Sequence, residues 1–438
     1  MNQKFKKFLF WGGMVLAAVA IVTALVIGIT NRIGEFQKDP TEESKPVVEE
    51  LPDGYVKTSK VSWDNSAAFN STDLDKITTI EFVNKYDGDA EDAWTFDGIQ
   101  LYQNEGVVYV RIPNNLKILG TMHGAFSNMK NLVEIKGLDL VDTSSVQDMG
   151  KLFSGCVNLE IVDLSQLETD ALVNGEYMFE GCTNLRAIDL SKNKMDNLAT
   201  AAYMFVDCNR AESVTLPNTP VLANVTHMFD NAGSGTTNGV TIGGDFNISQ
   251  CKDLSYMFAR AYLGGMDFVQ SMNVAAVKDM TGMFEGSPIE HIDLSKWDVS
   301  SVEKMDSMFS ECTLLMDVNV SNWKVPSLKS CSNMFYNCYQ MTSLSINWIG
   351  VDIIDNASAM FRECTHIVEL DISGFNGKTI GDARFMFSNC LELKKIISNG
   401  FDANVSDGMF AWCESLPNYD EQIDTLNDTS KELYFTKK

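Results

Sequence analysis

A phenylalanine, preceded by Met in ten of twelve units, recurs along this chain at nearly fixed intervals, and no other feature limits the possible folds so strongly. Taking the Phe as the mark, it falls at Phe126, Phe153, Phe179, Phe205, Phe229, Phe258, Phe284, Phe309, Phe335, Phe361, Phe387 and Phe410, separated by 27, 26, 26, 24, 29, 26, 25, 26, 26, 26 and 23 residues. An ordinary globular core imposes no fixed period on its apolar residues. A stack of coils does, because each coil buries its apolar side only against the coils before and after it.

The content of one unit narrows the type of coil. From Phe309 the apolar positions run Cys312, Leu315, Val318, Val320, Trp323, Val325, Leu328, Cys331 and Met334. The stretch Leu-x-x-Val-x-Val-x-x-Trp follows the leucine-rich-repeat pattern, in which the alternating part is a short parallel strand. The expected fold is therefore a leucine-rich-repeat-like solenoid of about 12 coils, each giving one strand and one short helical or turn segment. At about 4.8 Å between strands the body is on the order of 55 Å long.

The segments around the repeat divide the chain further. Lys4, Lys6 and Lys7 precede the uncharged run from Phe8 to Thr30, long enough as a helix to cross the roughly 30 Å of bilayer hydrocarbon. Residues 1–30 are read as a signal anchor with a transmembrane helix over 8–30, or as a cleaved signal peptide, for which Ala18-Val19-Ala20 offers a small-residue site. Both place the rest of the chain outside the cytoplasm. Residues 31–54, with Pro40, Pro46 and Pro52 among acidic side chains, read as a disordered acidic stalk. Residues 55–120 lack the repeat and read as an N-terminal β-rich cap, with a β-hairpin expected around Asn104-Glu105-Gly106. Residues 121–413 form the solenoid. After Leu416 the sequence turns polar, so 414–438 are expected to form a closing helix and tail.

The formal charge of −25 argues against a nucleic-acid surface, which needs clustered Lys and Arg. Phosphate-binding glycine loops, nucleophile elbows and paired metal-binding histidines are absent from the sequence. His123, His227, His291 and His366 fall at unrelated repeat positions. No enzyme, cofactor or metal site is expected.

Three columns of residues carry the remaining signal. Cys156, Cys182, Cys208, Cys312, Cys338, Cys364, Cys390 and Cys413 each stand three residues after the mark, where other coils hold Met129, Ala232, Ala261 and Ser287. A slot that accepts Cys, Ala and Ser asks for a small buried group, so packing is favoured over disulfides between coils. Trp297, Trp323, Trp348, Phe375 and Phe401 occupy the inward-turned position of a leucine-rich repeat and are expected to fill the core rather than form a sugar platform. Between the inward strand residues lies an outward position, held by Asp163, Asp189, Thr215, Asp293, Asn319, Ser345 and Asp371. Ser165, Ser191, Ser295, Ser321, Asn347 and Ser373 stand two residues on. Alternation puts both on the exposed sheet face. The candidate binding residues are Asp163, Ser165, Asp189, Ser191, Asp293, Ser295, Asn319, Ser321, Asp371 and Ser373. They form either an acidic strip for a basic or hydroxyl-rich partner or a soluble face without a ligand. Residues 229–290 break the rhythm, as a specialised contact region or by drift of the repeat.

The units "FSGCVNLEIVDLSQL", "FEGCTNLRAIDLSKN" and "FRECTHIVELDISGF" resemble those of the BspA-type leucine-rich-repeat surface protein family, over roughly residues 75–415. "WTFDGIQLYQNEGVVYV" is similar to that family's lead-in. The resemblance implies an extracellular, cell-associated bacterial protein that adheres to or binds host or matrix molecules. Many members end in a cell-wall sorting signal. The closing "ELYFTKK" is not one, which puts anchoring on residues 8–30. The expected function is a membrane-tethered surface protein that binds protein or glycan partners through its repeat ectodomain. The alternatives are a structural envelope component without a ligand and a secreted binder.

Overall fold

The periodic apolar positions translate directly into stacked backbone. The computed structural model describes residues 107–417 apart from Pro113 and Asn322, then Tyr419 and 434–436, and the backbone of strands Tyr55–Thr58 and Thr79–Phe82. The chain divides into two units at Pro52. The first lies outside the described residues, and with it the expected span over 8–30 and nearly all of the stalk over 31–54. Among the described residues no helix is long and apolar enough to cross a membrane.

The rest is a parallel β-solenoid in which the twelve marks bound about eleven full turns. One wall is a ladder of short parallel strands in four runs. The first joins Tyr55–Thr58, Thr79–Phe82, Tyr109–Arg111 and Glu134–Lys136, and the second joins Ala187–Asp189, Ser213–Leu216 and Thr241–Gly244. The third joins His291–Asp293 to Asp317–Asn319, and the last runs through Ser343–Ser345, Glu369–Asp371, Lys395–Ile397 and Phe435–Thr436. Register follows the repeat, as in Leu344 opposite Leu370 opposite Ile396.

A second ladder uses the residue five before each mark. Thr121, Asp148, Asn174, Thr200, Asn224, Asp253, Asp279, Lys304, Ser330, Asn356, Asp382 and Val405 pair in parallel without a gap. Several of them also open the turn that follows. Asp148 Oδ1 accepts Gly150 N–H at 2.8 Å, Asp253 Oδ1 accepts Ser255 N–H at 2.8 Å and Asn356 Oδ1 accepts Ser358 N–H at 3.0 Å. Asp and Asn recur there because their short carboxyl or amide reaches the backbone two residues on.

The turn around each mark forms a third wall, with its backbone donors divided between two directions. Phe153 N–H donates to Met178 O in the next coil at 2.8 Å, whereas Cys156 N–H donates back to Phe153 O at 3.0 Å. This division requires left-handed backbone both two residues before and two residues after every mark, as at Tyr177 (φ 59°) and Gly181 (φ 67°). Gly or Asn fills the second of these positions in seven coils, at Asn128, Gly155, Gly181, Asn231, Gly286, Asn337 and Asn389, the residues that tolerate that conformation best.

Inside, the marker rings stack from Phe126 to Phe410 with centroids 5.1–5.8 Å apart. All are buried. Each ring covers the next, so the core is continuous along the axis and closes only at the ends.

At the N-terminal end the structure corrects the expected hairpin. Tyr109–Arg111 has parallel partners on both edges, Thr79–Phe82 and Glu134–Lys136, which leaves no edge for the antiparallel partner of a hairpin. The described strands Tyr55–Thr58, Thr79–Phe82 and Tyr109–Arg111 therefore continue the ladder. At the other end the strand Phe435–Thr436 lies on Lys395–Ile397, with Tyr434 buried, and the closing helix expected within 414–438 falls largely outside the described residues. Residues 420–433 lie outside the described set.

Candidate functional site

The cysteine and tryptophan columns belong to the interior. All ten cysteines are unpaired and buried. Cys156, Cys182, Cys312 and Cys364 each donate Sγ–H to the marker carbonyl one coil earlier, over 2.9–3.1 Å. Ser287, in the same slot, donates instead to Ala261 O, three residues beyond the mark Phe258, at 2.6 Å. The slot thus takes a small buried group and can satisfy a donor where one is present, and burial pushes the Cys312 thiol up to about 12. The tryptophans fill the core as expected: Trp297, Trp323 and Trp348 are buried. Trp323 Nε1–H donates to Leu294 O at 2.9 Å and Trp297 Nε1–H to Val269 O at 3.2 Å. Asn193, in the same column, donates to Leu164 O at 2.9 Å. The indole N–H therefore does the work of the amide, and chemistry must be sought outside.

The outward columns lie on the exposed sheet face, and the structure gives them an additional structural task. Asp163, Asp189 and Asp293 are exposed, while Asn319 and Asp371 are half-buried. Each accepts the backbone N–H of the serine two residues on: Ser165 at 2.9 Å, Ser191 at 2.9 Å, Ser295 at 3.0 Å, Ser321 at 3.2 Å and Ser373 at 2.9 Å. The recurrent Asp-x-Ser is an Asx turn that ends the strand. The hydroxyl and then the backbone N–H of Ser191 hold the Asp189 carboxyl below its usual range, and the N–H and hydroxyl of Ser295 do the same for Asp293. These groups are fixed in place and negatively charged at neutral pH.

Register brings the candidates together in three runs. Asp189 stands opposite Thr215, with Asp163 two residues beyond the Ile161–Ala187 bridge. Asp293 stands opposite Asn319, and Ser345 opposite Asp371. Ser373 Oγ–H bonds Asn347 Oδ1 at 2.8 Å along the neighbouring column. The first run is separated from the second because the coil after Phe258 places a short helix, Asp267–Ser271 (α1), where a strand would stand.

Beside that interruption the face is concave. A shallow depression of about 260 Å³ is lined by Gln270, His291, Ile292, Asp293, Asp317 and Asn319. It joins two of the sequence candidates, Asp293 and Asn319, to three polar residues the sequence reading passed over: Gln270, His291 and Asp317. The signal for them was present: where other coils carry Ile-Asp-Leu-Ser, this one reads Met266-Asp267-Phe268-Val269-Gln270-Ser271, with no alternation. Among the described residues no group of three His, Cys, Asp or Glu is placed to hold a metal ion.

The fold is a parallel β-solenoid that resembles leucine-rich-repeat proteins. The chain belongs to the family described as "Mycoplasma protein of unknown function, DUF285", which matches residues 120–241, 223–348 and 316–426. Among solved structures, a leucine-rich repeat protein from Eubacterium ventriosum shares 12% identity over 84% of this chain and 92% of its own, with a TM-score of 0.38. A leucine-rich cell surface protein from Faecalibacterium prausnitzii shares 12% identity over 78% of this chain and 76% of its own, with a TM-score of 0.32. No curated protein matches.

Proposed function

We propose that the protein is a non-catalytic binder of the BspA type at the bacterial cell surface. It is tethered through residues 8–30 and uses the outward sheet face to adhere to protein or glycan partners. One observation carries this reading: the polar columns at Asp163, Asp189, Asp293, Asn319 and Asp371 are each locked by an Asx turn on a stacked scaffold. Groups already held in place lose little conformational freedom on binding, so many weak contacts along the face can add up. Neither cofactor nor nucleic acid enters the mechanism, and the acidic strip suits basic or hydroxyl-rich partners.

The same Asx turns favour a second reading, a structural envelope component whose aspartates serve only to end strands. A binding screen of the purified full chain against matrix proteins and a glycan panel separates the two. Reproducible capture of at least one partner supports the binder, and an empty screen supports the structural component. Recovery of residues 1–20 on the cell-associated protein supports the tether. A mature N-terminus near residue 20 supports release.

A further inference from the structure

Asparagine is chemically least durable before glycine, because a glycine nitrogen, with no Cβ beside it, can reach the preceding side-chain amide. The chain holds four such pairs: Asn174-Gly175, Asn238-Gly239, Asn376-Gly377 and Asn399-Gly400. In three of them the fold engages the reacting atoms. Gly175 N–H donates to Thr200 O at 3.0 Å and Gly377 N–H to Gly400 O at 2.9 Å, while Gly400 N–H donates to Ser398 Oγ at 3.0 Å. Asn174 Nδ2 donates to Asp148 Oδ1 at 2.9 Å, and its Oδ1 accepts Glu176 N–H at 3.0 Å. Asn376 Oδ1 accepts Ser398 Oγ–H at 2.8 Å and Asn399 N–H at 2.7 Å.

Asn238-Gly239 differs on both counts. It lies in the loop that lengthens the coil after Phe229, where Ser234, Gly235, Thr237 and Asn238 are exposed. Gly235 N–H to Asn209 O at 2.8 Å and Val240 N–H to Tyr262 O at 2.7 Å pin the two feet of this loop. Between them, neither the Asn238 amide nor the Gly239 N–H makes a hydrogen bond among the described residues. Gly239 holds φ 74°, and a Cβ on it would stand 2.6 Å from Gly264 N. Packing thus requires the glycine, and the glycine in turn leaves the asparagine open to attack.

We infer that Asn238 is a self-modification site, converted in the folded chain to aspartate and isoaspartate ahead of the other three asparagines. The Gly239 nitrogen attacks Cγ of Asn238, the new N–Cγ bond replaces Cγ–Nδ2, and Nδ2 leaves as ammonia with the Gly239 proton. Solvent water then opens the cyclic imide: cleavage at Cγ gives aspartate, and cleavage at the main-chain carbonyl gives isoaspartate. No oxidant or reductant is consumed. Each event adds a negative charge to the loop, and isoaspartate also lengthens the backbone two residues before the Val240–Leu263 bridge. The site stands apart from the proposed partner binding on the sheet face.

The test ages the purified full chain at mildly alkaline pH, digests samples taken over days and quantifies each Asn-Gly peptide by mass spectrometry, with isoaspartate labelled enzymatically. Asn238 is expected to deamidate at least about tenfold faster than Asn174, Asn376 or Asn399, because those pairs must first open locally. In urea, where the fold protects nothing, the four rates should agree within about threefold. Asn238→Ser should remove the main acidic species that ion exchange resolves in the aged protein. A folded-state rate at Asn238 no higher than at the other three overturns the inference. So does a lead of about tenfold that persists in urea, which assigns the effect to local sequence rather than to the fold. Persistence of the main acidic species in Asn238→Ser overturns it as well.

Discussion

Cys312 Sγ–H donates to the carbonyl oxygen of Phe284, one coil earlier, over 3.0 Å. That bond joins the two most repeated residues of the chain and makes the cysteine a small donor in a closed slot rather than a reactive group. Ten thiols should therefore titrate in the denatured, unreduced protein, matching the ten buried unpaired cysteines, and none should react rapidly in the native state. Cys312→Ser should be tolerated, since Ser287 fills the same slot natively and finds a backbone carbonyl of the preceding coil. Cys312→Val should cost about 1–3 kcal/mol by overpacking. Thiol counts with and without denaturant, and melting curves of the two variants, check this.

The marker stack carries the axial core. Phe309 lies between Phe284 and Phe335 at 5.4 and 5.5 Å. Phe309→Ala should cost about 3–5 kcal/mol, measured by urea unfolding. A loss below about 1 kcal/mol would show that the stack is not holding adjacent coils together.

The left-handed positions make a separate prediction. Asn389 holds φ 64°, so Asn389→Gly should be near neutral, whereas Asn389→Val should cost about 1–2 kcal/mol or more from backbone strain. If both variants melt together, the conformation at that position is not fixed.

Acid should act through carboxylates paired with lysine. Hydrogen bonds from Lys278 and then Lys329 pull Glu303 from its ordinary 4.5 down to about 2. A carboxyl depressed on folding adds stability above its unfolded pKa, and that stability is lost as pH falls through the folded value. The melting difference between the wild-type protein and Glu303→Gln should therefore be largest above about pH 5. It should vanish near pH 2, where Glu303 itself titrates. Comparing the two proteins cancels the general relief of repulsion on neutralising a chain of charge −25. A difference independent of pH would contradict the assignment.

Much of the scaffold was legible in the sequence because its cause is local and repeated. The period gave the coils, the alternation in Val318-Asn319-Val320 gave the strand, and the Cys/Ala/Ser substitution pattern gave the slot. What escaped depends on which coil meets which. Nothing near Tyr109 says that both its edges are taken by parallel strands from 79–82 and 134–136. Asp163 and Asp293 read as free outward carboxylates because an Asx turn spends the side chain on its own backbone two residues away, and such a bond leaves no mark in apolar periodicity. Gln270, His291 and Asp317 escaped because their site exists only where one coil omits its strand.

The central claim is that the repeated residues hold the scaffold while the outward aspartates bind. Its most direct test is the paired melting and partner binding of the full chain carrying Asp163→Asn, Asp189→Asn, Asp293→Asn and Asp371→Asn together. Asn keeps the acceptor for each turn while removing the charge. The account predicts a melting temperature close to that of the wild-type protein and a marked loss of affinity for whichever partner the screen recovers. Undiminished binding by the fourfold variant would contradict it.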